Sequence, residues 1–169
     1  MGIIKKVVSK GFNFEQEQVP NIFELTLEAN QIRLIKSLQT NTVIENFSYP
    51  LTSKHYKIYI LTDKERILYI GITKDSIRNR LRSGLSANGE HGYHGYKWKN
   101  NKKVMLFVWC FDELDKNKIE NIEAELAFIV RKTTGNWPEC QNEIHFNNHY
   151  EQKGKLIAEK LYTQVIEKI

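Results

Sequence analysis

The stretch from Tyr56 to Leu85, YKIYILTDKERILYIGITKDSIRNRLRSGL, decides how the rest of the chain is read. Tyr56–Leu61 and Ile67–Ile72 are short runs of β-branched and aromatic residues, a composition that suits a pleated strand. Only Thr62–Arg66 separate them, which leaves room for a hairpin loop and nothing larger. With Leu61 opposite Ile67, an antiparallel register sets Tyr59 across from Tyr69 and Lys57 across from Gly71. Directly paired residues have Cβ atoms about 5 Å apart, so the two phenols share one face of the sheet. Past the second strand, Asp75 is the expected N-cap and Gly84 the expected C-cap of a helix striped by Ile77 and Leu81. Arg80 then lies near the core-facing side, while Arg78 and Arg82 share a different face. The pattern hangs a guanidinium over a pair of tyrosines.

Downstream, three glycines between Gly89 and Gly95 disfavour a long regular helix. Tyr93, Tyr96 and Trp98 alternate with Lys97, Lys99, Lys102 and Lys103. Aromatics interleaved with cations suit stacking on bases and pairing with phosphates. The plainer alternative is a solvated loop whose aromatics pack on the core. Lys103–Phe111, KVMLFVWCF, is almost continuously apolar and reads as a strand buried on both faces, at the centre of the sheet. Ile119–Lys132 follows as a helix, with Ile122, Leu126 and Ile129 at helical spacing and Gly135 and Pro138 as its stop. Glu151–Lys168 is a last helix, striped by Ala158, Leu161, Tyr162, Val165 and Ile169. It packs on the same domain or, alternatively, forms a dimer contact.

Upstream, Ile3–Val8 is a candidate strand. Leu27, Leu34 and Leu38 fit one face of a helix over Thr26–Leu38, capped by Thr26, whereas the alternation Phe23, Leu25, Leu27 fits a strand. Thr40–Lys54 reads as loop, with Pro50 ending any regular element. The chain has 169 residues and a formal net charge of +5. That length suits one domain with appendages, and the charge favours an anionic partner without requiring one. The longest apolar runs are too short to cross a bilayer. The start, MGIIKKVVSK, lacks the apolar core of a secretory signal and has lysine where myristoylation needs Ser or Thr. Two cysteines, Cys110 and Cys140, make no disulfide framework, so a reduced, cytoplasmic protein is expected. Cys140, His145 and His149 lack the paired spacing of a zinc site, and His145 reads instead as packing or capping locally. No Ser-His-Asp order, phosphate loop or dinucleotide fingerprint is evident.

The opening stretch resembles the GIY-YIG nuclease family. Tyr69-Ile70-Gly71 matches the family's second motif, and Lys57-Ile58-Tyr59 resembles the first, with lysine in place of glycine. Arg80-Leu81 resembles the Arg-Leu pair of the family's first helix. The resemblance covers residues 55–150 and implies an α+β fold with a small three-stranded antiparallel sheet flanked by helices. Residues 1–54 would form an N-terminal extension and 151–169 a C-terminal helix packed on the domain. The family also implies a metal-binding glutamate on the helix after the third strand. Glu123 and Glu125 both flank that helix's apolar stripe. The family pattern of a glutamate followed after two residues by two aliphatics or aromatics resembles Glu125-Leu126-Ala127-Phe128-Ile129, and it selects Glu125. A supporting amide is implied at Gln141 or at Asn142, and a family histidine at His94 ahead of His91. Gly71 completes the supporting set.

The resemblance implies a metal-dependent endonuclease that hydrolyses phosphodiester bonds in DNA, with RNA as the alternative substrate. One divalent cation, Mg²⁺ or Mn²⁺, would sit on Glu125. Tyr59 would take the proton from the attacking water, Tyr69 would orient it, and Arg80 would stabilise charge on the phosphoryl oxygens. A free phenol has a pKa of about 10, so a neighbouring cation must favour its ionised form. Lys57, Lys97, Trp98, Lys99, Lys102 and Lys103 are the expected nucleic-acid contacts, and the terminal segments the expected surfaces of any homodimer. Two other readings stand beside this one. The first is a binding module on the same fold with little or no cleavage, toward which Lys57 and Gln141 point. The second is an interaction module that uses the terminal segments.

Overall fold

The computed structural model describes residues 18–89, 95–141, 144–146 and 151–169. The strand expected at Ile3–Val8 lies outside the described residues. The next segment departs from the helical expectation over Thr26–Leu38. It folds as β1 (Asn21–Glu28), β2 (Gln31–Ser37) and β3 (Thr42–Ile44), an antiparallel meander. The period of two wins because Phe23, Leu25 and Leu27 all become buried, whereas Leu34 and Leu38 stay at the surface. Ala29 and Asn30 turn the chain with φ of 49° and 59°. Two consecutive left-handed residues give the turn whose twist matches a hairpin. The third strand lies inside the span 40–54 expected to be loop.

The remaining strands are β4 (Tyr56–Thr62), β5 (Ile67–Thr73) and β6 (Lys103–Phe111). All join one sheet in the order β3-β2-β1-β6-β4-β5, each neighbour antiparallel. The sheet therefore has six strands rather than three, because β1 pairs with β6 from Asn21↔Val108 to Thr26↔Lys103. β6 is interior, as its composition predicts, with β1 on one side and β4 on the other.

Helix α1 (Ile77–Ser86) covers one face, where Leu25, Tyr59, Leu61, Leu81, Trp98 and Leu106 form a core. Helices α2 (Lys116–Thr134) and α3 (Glu151–Ile166) cover the other, on Ile58, Ile60, Phe107, Trp109, Ile122 and Leu161. Successive residues of β4 and β6 feed opposite cores, which is why both strands are nearly unbroken apolar runs. Helix α2 begins at Asp115, whose carboxylate accepts from Lys118 N, and ends at Gly135, whose φ of 81° supplies the left-handed stop. Trp109 Nε1 donates to Gln164 Oε1 at 2.9 Å and pins α3 to the sheet. Among the described residues no helix is long and apolar enough to cross a membrane.

Candidate active site

The hairpin of β4 and β5 carries the first two site residues, in a register two residues from the simple count. Tyr59 faces Gly71 and Leu61 faces Tyr69, after an irregularity between Leu61 and Thr62. Because side chains alternate with period two, an even shift leaves every one on its expected face. The tyrosines become diagonal neighbours with ring centroids 5.9 Å apart. Gly71 is the space in which they meet. A Cβ at that position would lie 2.6 Å from Cζ and from Oη of Tyr59, and 2.7 Å from Cε1 of Tyr69.

Helix α1 supplies the third. Its N-cap is Ser76, which accepts from Asn79 N at 3.3 Å, rather than Asp75, which instead pairs with Lys54 Nζ at 2.9 Å. Gly84 is an interior residue of the helix and not its C-cap, and any Cβ there would overlap the ring of Tyr96. The absence of a side chain at Gly84 lets Tyr96 lie flat against α1. A closed circuit of hydrogen bonds follows. Arg80 Nε donates to Tyr59 Oη at 3.1 Å, Tyr59 and Tyr96 share a bond of 2.9 Å, and Tyr96 Oη donates to the Arg80 carbonyl at 3.4 Å. A guanidinium can only donate, so the direction is set: Tyr59 donates to Tyr96, which donates in turn to the helix. Tyr96 also stacks on Trp98 at 4.8 Å, meets Tyr69 edge-on at 5.2 Å, and lies 5.7 Å beneath the Arg80 guanidinium. The sequence pattern places this tyrosine among base-stacking residues. It is instead a buried member of the site itself.

Tyr59 is 0 % exposed, and burial, followed by the neighbouring Tyr96, pushes its phenol well above the ordinary tyrosine range. Its phenolic oxygen is engaged by both Arg80 and Tyr96, which sets Tyr59 inside the cluster rather than at its rim. Tyr69 is only partly buried. Burial raises its pKa as well, and it also feels the charge of Glu123.

Of the two candidate carboxylates, Glu123 lies among the charges of this cluster, interacting with Tyr69 and Arg80, whereas the family pattern selects Glu125. Glu123 is 4 % exposed, and its Oε2 lies 3.4 Å from His145 Nδ1. Burial raises its carboxyl to about 7, offset in part by His145 and more weakly by Arg80. Two residues along a helix are about 200° of rotation, so a helix that aims Glu123 at Arg80 aims Glu125 away. The signal is present in the sequence: Glu123 falls four residues after Ile119 and three before Leu126, on the stripe itself. For His145 no signal at its own position marks it as Glu123's neighbour.

The expected nucleic-acid contacts divide. Lys57 is buried and donates to the carbonyls of Ser53, His55 and Asp75 at 2.7, 2.8 and 3.2 Å, so its ammonium holds loops together. Desolvation lowers its pKa. Trp98 is wholly buried and offers no face to a base. Lys99 donates to Ala87 O at 2.9 Å, and Lys103 pairs with Glu24 at 3.0 Å across β6 and β1. Lys97 and Lys102 are exposed. Gln141 uses both ends of its amide on one residue, accepting from Ile70 N and donating to Ile70 O, each at 3.0 Å. It thereby pairs the open edge of β5 within the Tyr-Ile-Gly motif. His91, His94, Asn142 and His149 lie outside the described residues.

A tyrosine pair on a hairpin, an arginine on the following helix and a glutamate on the next one form a compact polar cluster around two phenols. Comparison with protein-family models matches residues 55–136 to the GIY-YIG catalytic domain, so a domain of the GIY-YIG nuclease family spans that segment. The family is made of endonucleases, which act on nucleic acid and generally use divalent metals. No curated protein and no solved structure matches the chain.

Proposed function

We propose that the chain is a metal-dependent endonuclease that hydrolyses phosphodiester bonds in DNA, with Tyr69, Arg80 and Glu123 as catalytic residues and Tyr59 and Tyr96 as positioning residues. The observation that carries this reading is the Arg80 guanidinium. Its Nε is held by Tyr59, so the planar fork of the remaining N–H groups is turned toward a phosphate in a fixed orientation. The Tyr59–Tyr96 circuit does the holding from below.

Tyr69 is the phenol with solvent access, and it takes the proton of the attacking water. Its raised pKa keeps it neutral in the free protein, and only a nearby cation makes the phenolate accessible. Glu123 suits a divalent ion: a mostly buried carboxylate with no lysine or arginine salt bridge among the described residues. Mg²⁺ is commonly held by one or two carboxylates, with waters and substrate phosphate completing its shell. Such an ion supplies charge neutralisation at the phosphoryl group when bound. Among the described residues no cluster of three metal-ligating side chains occurs.

The test is incubation with supercoiled plasmid and Mg²⁺ or Mn²⁺, scored for nicked and linear product. Glu123→Gln should lose several orders of magnitude in rate, about 4 kcal/mol of barrier or more, and keep its DNA binding. Glu125→Gln should cleave within a few-fold of the wild type. The reverse result would move the metal to Glu125. A wild type that cleaves neither DNA nor RNA with any divalent ion would make the chain a binding module on a nuclease fold.

A further inference from the structure

A groove of about 750 Å³ lies between α1 and the β2–β3 side of the sheet, and nothing in the catalytic reading uses it. Arg33, Arg78 and Arg82 line it against a single carboxylate, Glu45. Its apolar wall includes Leu34 and Val43, which are 36 % and 63 % exposed. Arg78 and Arg82 are exposed, and neither makes an ion pair or a hydrogen bond among the described residues.

We propose that this groove binds the strand of nucleic acid flanking the scissile phosphate, with backbone phosphates on Arg78 and Arg82 and sugar faces against Leu34 and Val43. The inference rests on the nuclease reading above. Arg33 is already paired with Glu28 at 3.8 Å, so the guanidiniums of Arg78 and Arg82 carry the charge that complements a polyanion, and their planar forks match phosphate oxygens. Arg78 and Arg82 are four residues apart on α1, hence on the same face and about 6 Å apart along the axis. That is the order of the spacing between successive phosphates of a strand. Arg80, two residues from each, points to the opposite side of the helix, toward Tyr59. The helix is about 10 Å wide. The path round it is about 16 Å, so a strand with its reacting phosphate at Arg80 reaches the groove within about three nucleotides at the same ~6 Å between phosphates. An apolar peptide would suit Leu34 and Val43 but would leave the arginines unpaired. The extension strands thus build the second wall of a substrate channel whose first wall is α1.

The test is anisotropy of end-labelled single-stranded and duplex DNA, in EDTA so that nothing is cut, over a series of salt concentrations. Arg78→Ala/Arg82→Ala should weaken binding about tenfold or more and reduce the slope of log affinity against log salt by about two. Val43→Glu, at an exposed position, should weaken binding about tenfold by placing a carboxylate against the strand. Circular dichroism and melting verify that each variant is folded, and Arg78→Lys/Arg82→Lys should keep most of the salt slope. A double alanine variant with wild-type affinity and slope overturns the groove and leaves the nuclease reading standing. Loss with the arginines but none with Val43→Glu also overturns it, because the charges then act without occupancy of the groove. A wild type without salt-sensitive binding overturns both.

Discussion

A single methyl group at residue 71 should disable the site from within. In Gly71→Ala the new carbon would lie 2.6 Å from two atoms of Tyr59 and 2.7 Å from Tyr69. Comfortable carbon contacts begin at about 3.5 Å, so roughly 1 Å of clearance is missing on two rings at once. Neither ring has an easy retreat. Tyr59 is fully buried and tied to Arg80 and Tyr96, while Tyr96 is wedged between Gly84 and Trp98. Overpacking of this kind costs about 1–3 kcal/mol. In a chain of this size each kcal/mol moves the melting temperature by about 2–4 °C, so a fall of about 4–8 °C is expected near the middle of that range. The larger effect should be kinetic. Displacing Tyr59 by about 1 Å drags the Arg80 fork with it, and misplacement on that scale costs on the order of a hundredfold in rate. Calorimetric melting and single-turnover nicking of plasmid at saturating Mg²⁺ measure the two effects separately. If Gly71→Ala melts within about 1 °C of the wild type and nicks at the same rate, the tyrosines do not meet over residue 71.

Three further outcomes are expected. Tyr96→Phe keeps the stacked ring but opens the hydrogen-bond circuit. Its kcat should fall about tenfold, equal to about 1.4 kcal/mol, with KM and melting little changed, and an unaltered kcat would remove Tyr96 from the positioning role. Lys57→Met deletes the ammonium that three carbonyls share; it should cost about 3 kcal/mol in chemical denaturation, while the folded fraction binds DNA as the wild type does. A selective loss of affinity would restore Lys57 as a phosphate contact. The carboxyl of Glu123 has a folded pKa of about 7, above its unfolded value. The native state therefore binds the extra proton, and the stability this confers is complete at low pH and lost as pH rises from about 4.5 through 7. Glu123→Gln should accordingly melt higher than the wild type at pH 8, by up to about 3 kcal/mol, with the gap closing toward pH 5. The same proton competes with metal, so the Mg²⁺ concentration for half-maximal cleavage should rise about fivefold between pH 7 and pH 6. A flat metal requirement over that interval would show that Glu123 is not the ligand.

What the sequence disclosed about the site follows from which physical quantities are local. The face shared by Tyr59 and Tyr69 depends only on even spacing, so it survives the two-residue shift that the Leu61–Thr62 irregularity introduces. The exact partner depends on loop geometry, and Thr62–Arg66 carries no residue that fixes it. The extension is ambiguous for a related reason. Leu27, Leu34 and Leu38 fit a helix as well as Phe23, Leu25 and Leu27 fit a strand, and the choice depends on whether β6 offers an edge, a fact about distant residues. The preference for Glu125 counts Ile129 into the stripe of α2. Ile129 is only partly buried, and the stripe centred on Ile119, Ile122, Leu126 and Val130 puts Glu123 in line instead. Tyr96 is invisible in the sequence as a site residue. It reaches Tyr59 only because Gly84 leaves room for its ring, and that pairing joins residues twelve apart in a sequence without periodicity.

The pairing of β1 with β6 limits how this domain can be handled as a portable part. A fragment trimmed to residues 55–136, the span that carries the family likeness, would strip β6 of its partners from Asn21 to Thr26. It would also uncover Leu106 and Val108, which now pack with Phe23 and Leu25. An open, flat, apolar strand is a docking edge for any other chain that presents one, including a second copy. The N-terminal strands occupy that socket in cis. A fusion or transplant that keeps the hairpin tyrosines but drops those strands would trade a self-contained sheet for a self-associating one, so the smallest transferable unit has to begin before Asn21.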